Sequence, residues 1–266
     1  MLVPVLTPSP CRACAQGEDA YFWTFQQDGV PGAGIAVIGV ADGTSAAEGG
    51  VYSTTLMGEA EAWVLANGAK SADVTPEKIM SEAWAETAHR SIEGRSTACI
   101  VKLSSDSRGC AASILGDSGL LLLRPTENGV FSIPFSMHDH VDEQQHYFNC
   151  PYQLGSLGGA EANTPADALK AEFAVAPGDI IIVATDGLFD CLWPEDVATI
   201  ISLVRTAAPS TSAGRLAEKL VEQAQSQAQD SRRETPFGAR AKEEGLISRP
   251  GEVMDDAAIV VCEVLE

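Results

Sequence analysis

The feature that most constrains the fold is a short apolar run that stops at an acid. Ile180–Ala184 contains no polar residue, and Thr185-Asp186-Gly187 follows it at once. A short β-branched run without polar alternation predicts a strand buried on both faces. Because burying an unpaired carboxylate is costly, Asp186 should meet solvent or a counter-charge where the strand ends. Gly187 is expected to turn the chain with a positive φ.

Four other predicted strand ends also carry acids. They are Asp42 after the run 34–41, Asp117 after the run 112–116, Asp255-Asp256 before the run 257–264, and Glu18-Asp19 before the run 20–25. A single Asp-Gly after a strand is ordinary turn chemistry. Five acidic strand ends in one domain instead suggest carboxylates that share divalent cations.

The remaining pattern predicts helices near both ends of the chain and strands between them. Thr75-Pro76 and Pro194 are typical helix starts, and the run 216–224 has an amphipathic helical spacing. Short strands between 97 and 133 predict an antiparallel meander, and 176–179 predicts a hairpin-like turn. This order favours an α+β arrangement of two packed sheets with helices outside.

Length and charge limit the domain count and the partners. The 266 residues contain no repeat or linker, so we expect one domain over 1–266, with a long loop or flap at 136–167. A net charge of −20 argues against nucleic-acid and anionic-membrane partners. Seven cysteines, an odd number, favour an intracellular reduced compartment, either cytoplasm or an organelle matrix. Cys11 and Cys14 have no second pair, so zinc is not expected.

In order and spacing, several segments resemble the metal-dependent serine/threonine protein phosphatases of type 2C. They are Gly17-Glu18-Asp19-Ala20, Val40-Ala41-Asp42-Gly43, Ser96-Thr97-Ala98, Gly116-Asp117-Ser118, the run 184–190 and Asp255-Asp256. The run 144–154 and Thr235-Pro236-Phe237 resemble the organelle-associated branch. The resemblance implies a four-layer α-β-β-α sandwich, in which two antiparallel sheets are flanked by helices.

The resemblance also implies a centre with two Mg²⁺ or Mn²⁺ ions and a water between them that attacks phosphomonoesters of a phosphoprotein. Asp42 is expected to bridge the two ions, and the carbonyl of Gly43 to bind one of them. Asp186 and Asp255 should complete the first ion. Oxygen ligands are what hard divalent cations prefer.

The second ion is expected at Asp19 or Glu18, through water. Asp117 matches the position of a third, weaker ion in some relatives, although it could equally be a turn residue. Asp190 and Asp256 are expected to support the ligands or to cap helices. We expect the protein to act as a monomer.

Two departures from the family pattern bear on activity. Thr44-Ser45-Ala46 stands where many relatives have a histidine that is thought to act as a general acid. Cys14 stands where relatives have the phosphate-binding arginine, and Arg12 is the nearest substitute. These departures leave open a second hypothesis, a catalytically weak or inactive phosphatase fold that serves as a binding module.

A third hypothesis comes from His138, His140 and Asp142, which form the H-x-H-x-D pattern of metallo-β-lactamase-type hydrolases. Histidine ligands would favour zinc or iron. However, no convincing strand precedes the pattern, and Glu143 stands where a further histidine is usual. A solvated loop in which Tyr147 packs on His146 is the simpler interpretation.

Overall fold

The computed structural model describes residues 2–9, 17–27, 34–44, 49–68, 73–104, 109–137, 144–156, 163–230, 232–246 and 255–265. Two five-stranded antiparallel sheets form its centre. In spatial order, the first sheet contains β1 (Leu2–Ser9), β14 (Ala257–Val264), β13 (Ile180–Ala184), β7 (Gly119–Pro125) and β8 (Phe131–Ser136). The second contains β12 (Leu169–Ala174), β6 (Gly109–Leu115), β5 (Ala98–Ser104), β3 (Gly34–Asp42) and β2 (Asp19–Gln27).

Helices and short hairpins complete the described part. The helices are α1 (Gly49–Asn67), α2 (Pro76–His89), α3 (Asp186–Phe189), α4 (Pro194–Ala207), α5 (Ala213–Gln229) and α6 (Pro236–Glu243). The short strands are β4 (Arg95–Ser96) with β11 (Leu154–Gly155), and β9 (Gln145–Tyr147) with β10 (Cys150–Pro151). Thr75 caps α2 as predicted, because its side chain accepts a hydrogen bond from the Lys78 amide.

Three layers of buried side chains hold the sheets and helices together. Between the sheets, residues such as Ile38 of β3 and Val183 of β13 share one cluster. A second cluster joins the outer face of the first sheet to α4 and α5. A third joins the outer face of the second sheet to α1 and α2. The α-β-β-α sandwich is therefore confirmed, and β13, buried along its whole length, is the central strand that the sequence predicted.

Two predicted connections are wrong. The strands from 97 to 133 do not form one meander, because β5 and β6 belong to the second sheet and β7 and β8 to the first. Likewise β12 and β13 lie in different sheets, so 176–179 does not close a hairpin. At the first crossing Gly116 has φ +97°, and a Cβ there would lie 2.6 Å from the Tyr152 carbonyl oxygen. The chain leaves one sheet for the other at this point.

Aromatic contacts hold the segment 144–156. Tyr147 is 70% exposed. His146 contacts Tyr152, with ring centroids 4.7 Å apart, and Phe148 contacts Phe237 of α6 at 5.4 Å. This segment is thereby joined to α6. His138, His140, Asp142 and Glu143 lie outside the described residues.

Candidate metal centre

Three aspartates from both sheets converge. Asp42 ends β3 of the second sheet, Asp186 follows β13 of the first, and Asp117 lies on the crossing between β6 and β7. One carboxylate oxygen from each lies within 4.8 Å of the others. All three residues are half-buried, so the cluster lies at an opening and not in the sealed core.

The hydrogen bonding of this cluster is incomplete. Asp117 Oδ1 and Asp186 Oδ1 are buried and have no hydrogen-bond partner among the described residues. Burial raises the pKa of Asp117 to about 6, and it raises the pKa of Asp186 well above its ordinary value, with further increases from Asp42 and Asp117. Carboxylate oxygens that are buried, unsatisfied and mutually repulsive are the donor set that a hard divalent cation would satisfy.

Asp19 lies opposite Asp42 in the β2–β3 pair and is held from the other sheet. Its Oδ2 accepts hydrogen bonds from Thr185 Oγ1 at 2.6 Å and from the Ala258 amide at 2.7 Å. Burial raises the pKa of Asp19 to about 7, although the hydrogen bond from Thr185 acts in the opposite direction. Burial and the nearby charge of Asp19 raise the pKa of Asp42 well above its ordinary value. Thr185, which sequence reasoning did not single out, thus joins the sheets at the site.

The backbone of Asp42 is fixed on both sides. Its carbonyl accepts hydrogen bonds from the Thr97 amide at 2.9 Å and from Ser96 Oγ at 2.8 Å. Its amide donates to Thr97 Oγ1 at 3.0 Å, and that hydroxyl lies 2.9 Å from Ser118 Oγ, next to Asp117. The Ser96-Thr97 and Asp117-Ser118 segments therefore orient the cluster through one buried hydrogen-bond network.

The remaining predicted acids lie around this cluster. The amide of Glu18 donates to Asp256 Oδ2 at 2.6 Å, which ties the start of β2 to the segment before β14. Asp255 is exposed and does not belong to the compact trio of Asp42, Asp117 and Asp186. Its charge nevertheless raises the pKa of Glu18 after burial, and it contributes to the raised pKa of Asp42. Asp255 is thus an electrostatic neighbour of the trio, and Glu18 is an electrostatic neighbour of Asp255.

Two glycines allow the backbone to approach closely here. A Cβ on Gly43 would lie 2.3 Å from the Gly49 carbonyl oxygen, and the Gly43 amide donates to the Glu18 carbonyl at 3.1 Å. A Cβ on Gly187 would lie 1.8 Å from the Asp256 carbonyl oxygen. The predicted positive φ of Gly187 is wrong, because the residue continues the helical turn α3. The glycine is needed for space and not for its backbone dihedral.

Comparison with known proteins assigns the family. The sequence profile described as Stage II sporulation protein E (SpoIIE) matches residues 49–235. The human "Protein phosphatase PTC7 homolog" is 32% identical over 268 residues, which cover 96% of this chain and 82% of that protein. The chain belongs to the PP2C-type phosphatase family. This result confirms the resemblance that the acidic strand ends and their flanking motifs indicated.

Other PP2C-type proteins differ in how much of their length is matched. The Arabidopsis thaliana "Probable protein phosphatase 2C 55" is 33% identical over 262 residues, covering 97% of this chain and 50% of that protein. The chain thus spans about half the length of that relative. The solved photosystem II phosphatase PBCP is 26% identical, has a TM-score of 0.79, and each chain is 99% covered. No helix in the described residues of this PP2C-type chain is both long and apolar enough to cross a membrane.

One charged residue of this PP2C-type site was missed by sequence reasoning. Arg240 of α6 donates from its guanidinium to Asp190 Oδ1, and both side chains are largely buried. Burial raises the pKa of Asp190 to about 7 even though Arg240 lowers it. The sequence offered only a weak signal. The chain has 37 acids and only 17 lysines and arginines, so each cation has many acids with which it could pair, and a buried carboxylate needs such a partner.

Some predicted site residues cannot be compared with the geometry. Arg12, Cys14, Ser45 and Ala46 lie outside the described residues. The predicted phosphate-binding role of Arg12 therefore stays a prediction.

Proposed function

We propose that this chain is a metal-dependent protein serine/threonine phosphatase that hydrolyses phosphomonoesters. The observation that carries the proposal is the trio of Asp42, Asp117 and Asp186, whose carboxylate oxygens lie within 4.8 Å of one another. Two of those residues each present a buried oxygen without a hydrogen-bond partner in the described part. Relatives named as protein phosphatases support the proposal.

The residues of the trio and their neighbours would together supply the ligands of two Mg²⁺ or Mn²⁺ ions. In this proposal Asp42 would be a ligand of both ions, and the Gly43 carbonyl would be a ligand of one of them. Asp186 and Asp255 would complete the ligands of the first ion. When bound, the ions supply positive charge for the phosphoryl oxygens and a water that can act as nucleophile near neutral pH.

Asp19 or Glu18 would hold the second ion through water. Both hydrogen bonds from the other sheet go to Asp19 Oδ2, and Asp19 lies directly opposite Asp42 in the β2–β3 pair. Asp117, the predicted ligand of a third ion, is close enough to Asp42 and Asp186 to serve the main pair. Its buried oxygen, which has no hydrogen-bond partner among the described residues, is what such a role requires.

The chain's own groups prepare the site in two ways. Ser96 and Thr97 hold the backbone of Asp42, so its carboxylate is oriented before any ligand binds. Thr185 holds Asp19 from the opposite sheet. Preorganised charges cost little rearrangement when the phosphoryl group reacts. Arg12 would contact the substrate phosphate, a role that needs a direct test.

The deciding experiment measures phosphate release from phosphoserine and phosphothreonine peptides with Mn²⁺ or Mg²⁺. We expect turnover that excess EDTA abolishes. Asp42→Asn should lose activity by at least about 100-fold, because a bridging carboxylate serves both ions. Glu127→Gln removes one exposed acid on the β7–β8 turn and should leave activity unchanged. Full activity in EDTA after dialysis would refute the proposal.

The same assay separates catalysis from a binding role. A folded protein that binds phosphopeptides but never releases phosphate with either metal would support the alternative of an inactive phosphatase fold. Within the proposal the substrate is a phosphoprotein and the protein acts as a monomer. A reducing intracellular compartment or organelle matrix also fits, because the five described cysteines are all free.

A further inference from the structure

The acid cluster has two sides that differ in their charge balance. On one side, Asp19 and Asp42 have only other acids among the main charges that shift their pKa values. On the other side, Asp190 lies one helical turn after Asp186, because its amide donates to the Asp186 carbonyl at 2.7 Å, and its carboxylate forms an ion pair with Arg240. The charge of Arg240 also lowers the pKa of Asp117 and of Asp190. Among the described residues, Arg240 is the only positive side chain whose charge lowers the pKa of any of these four carboxyls. The positive charge is therefore confined to the Asp117–Asp190 side.

The position of Arg240 is built by several contacts. Its guanidinium forms an ion pair with Asp190, and the two side chains are 22% and 11% exposed. Thr235 caps α6 by accepting from the Gly238 amide at 3.1 Å. The Phe237 amide donates to the Asp190 carbonyl at 3.2 Å, which ties the start of α6 to the same residue. Asp190 is thus held through both its side chain and its backbone.

We propose that Arg240 is a built-in cation for the Asp117–Asp190 side of the centre, so that the protein binds two divalent ions and not three. The inference rests on the proposed metal-dependent function. A third ion would need carboxylates at this side, and Asp190 is already neutralised by a guanidinium that would repel the incoming cation. Arg240 is accordingly a positioning residue that holds Asp190 and moderates the charge beside Asp117.

The experiment counts bound Mn²⁺ by equilibrium dialysis with elemental analysis, and by calorimetric titration. Wild type should bind two ions. Arg240→Gln should gain a third, weaker ion, because the carboxylate of Asp190 loses its partner. Arg240→Lys keeps the charge and should bind two. Adding Asp190→Asn to the glutamine variant should remove the third ion again.

Lys242→Gln provides the matched control. Lys242 lies on the same helix, is 79% exposed, and faces Glu234 at 3.6 Å. Its loss should leave the ion count at two. A wild type that binds three ions, or a folded Arg240→Gln protein that binds only two, would overturn the inference. A wild type that binds no divalent ion would instead overturn the proposed function.

Folding of Arg240→Gln in Mn²⁺ and inhibition by inorganic phosphate provide two further tests. If Arg240→Gln folds only in millimolar Mn²⁺, the result supports it, because an ion then replaces the missing charge. If that variant folds at no Mn²⁺ concentration, the inference fails. Inhibition by inorganic phosphate at saturating metal should not change between wild type and Arg240→Gln. If Arg240→Gln shows weaker phosphate inhibition and an unchanged ion count, Arg240 binds phosphate. That result would overturn the proposal that Arg240 is a built-in cation.

Discussion

At the scale of single residues, the hydroxyl of Thr185 links the two halves of the candidate site. It donates to Asp19 Oδ2 and accepts from the Ala258 amide at 2.9 Å. Thr185→Val keeps the side-chain shape but removes both interactions. We expect a loss of about 1.5–3 kcal/mol in the free energy of unfolding, as for other hydrogen bonds to charged groups, and weaker Mn²⁺ binding. Urea unfolding and calorimetric titration measure these effects, and Thr185→Ser should restore both.

The raised carboxyl pKa values predict how the metal-free protein responds to pH. Burial raises the folded-state pKa of Asp19 to about 7, against an ordinary value of 3.8. A carboxyl whose pKa is raised on folding contributes stability that is fully present below the unfolded pKa and is lost as pH rises through the folded pKa. In EDTA the melting temperature should therefore fall between about pH 4 and 7. Asp19→Asn should flatten this slope, and a slope unchanged in that variant would contradict the assignment.

At the scale of elements, the close contact between α3 and the segment before β14 requires a residue without a side chain at Gly187. Gly187→Ala would place a Cβ 1.8 Å from the Asp256 carbonyl oxygen, so α3 or that segment must move. We expect destabilisation by about 3 kcal/mol, the upper range for overpacking, together with weaker metal binding. Thermal and urea unfolding test this expectation.

Gly58 offers a matched control for that substitution. It lies in α1, is exposed, and a Cβ there would have no atom within 4 Å. Gly58→Ala should therefore stabilise the protein by about 0.5–1 kcal/mol, because alanine is the better helix former. Equal effects of the two glycine substitutions would mean that the close approach at Gly187 is unimportant.

Local patterns predicted most elements but not their assignment to sheets. The strand β13, the start of α4 and the cap of α2 are determined by nearby residues, and the sequence predicted all three. The sheet to which β6 or β7 belongs depends on partner strands far along the chain. The alternation of apolar and polar residues within a strand does not identify its partner strand. The acids of the site were found because each follows or precedes a strand. Arg240 was not found from the sequence, because α6 and Asp190 come together only in the folded chain.

At the scale of the whole molecule, the net charge of −20 adds to the repulsion within the acid cluster. Ions that bind only the folded state stabilise it, by about 2.7 kcal/mol at a hundredfold excess over the dissociation constant. Millimolar Mn²⁺ or Mg²⁺ should therefore raise the melting temperature more than monovalent salt of matched ionic strength. Asp186→Asn should reduce the divalent-specific part of this rise. Equal rises in both proteins would mean that Asp186 is not a ligand.

The crossing from β6 to β7 also affects how the protein folds. Asp42 and Asp186 belong to different sheets, and Asp117 lies on the chain that passes between them, so the ligand set exists only after both sheets have met. Contacts that form after the folding barrier alter the unfolding rate and leave the refolding rate unchanged. In stopped-flow measurements Mn²⁺ should slow unfolding several-fold while refolding proceeds at the metal-free rate. Faster refolding in Mn²⁺ would show that the carboxylates gather before the sheets do.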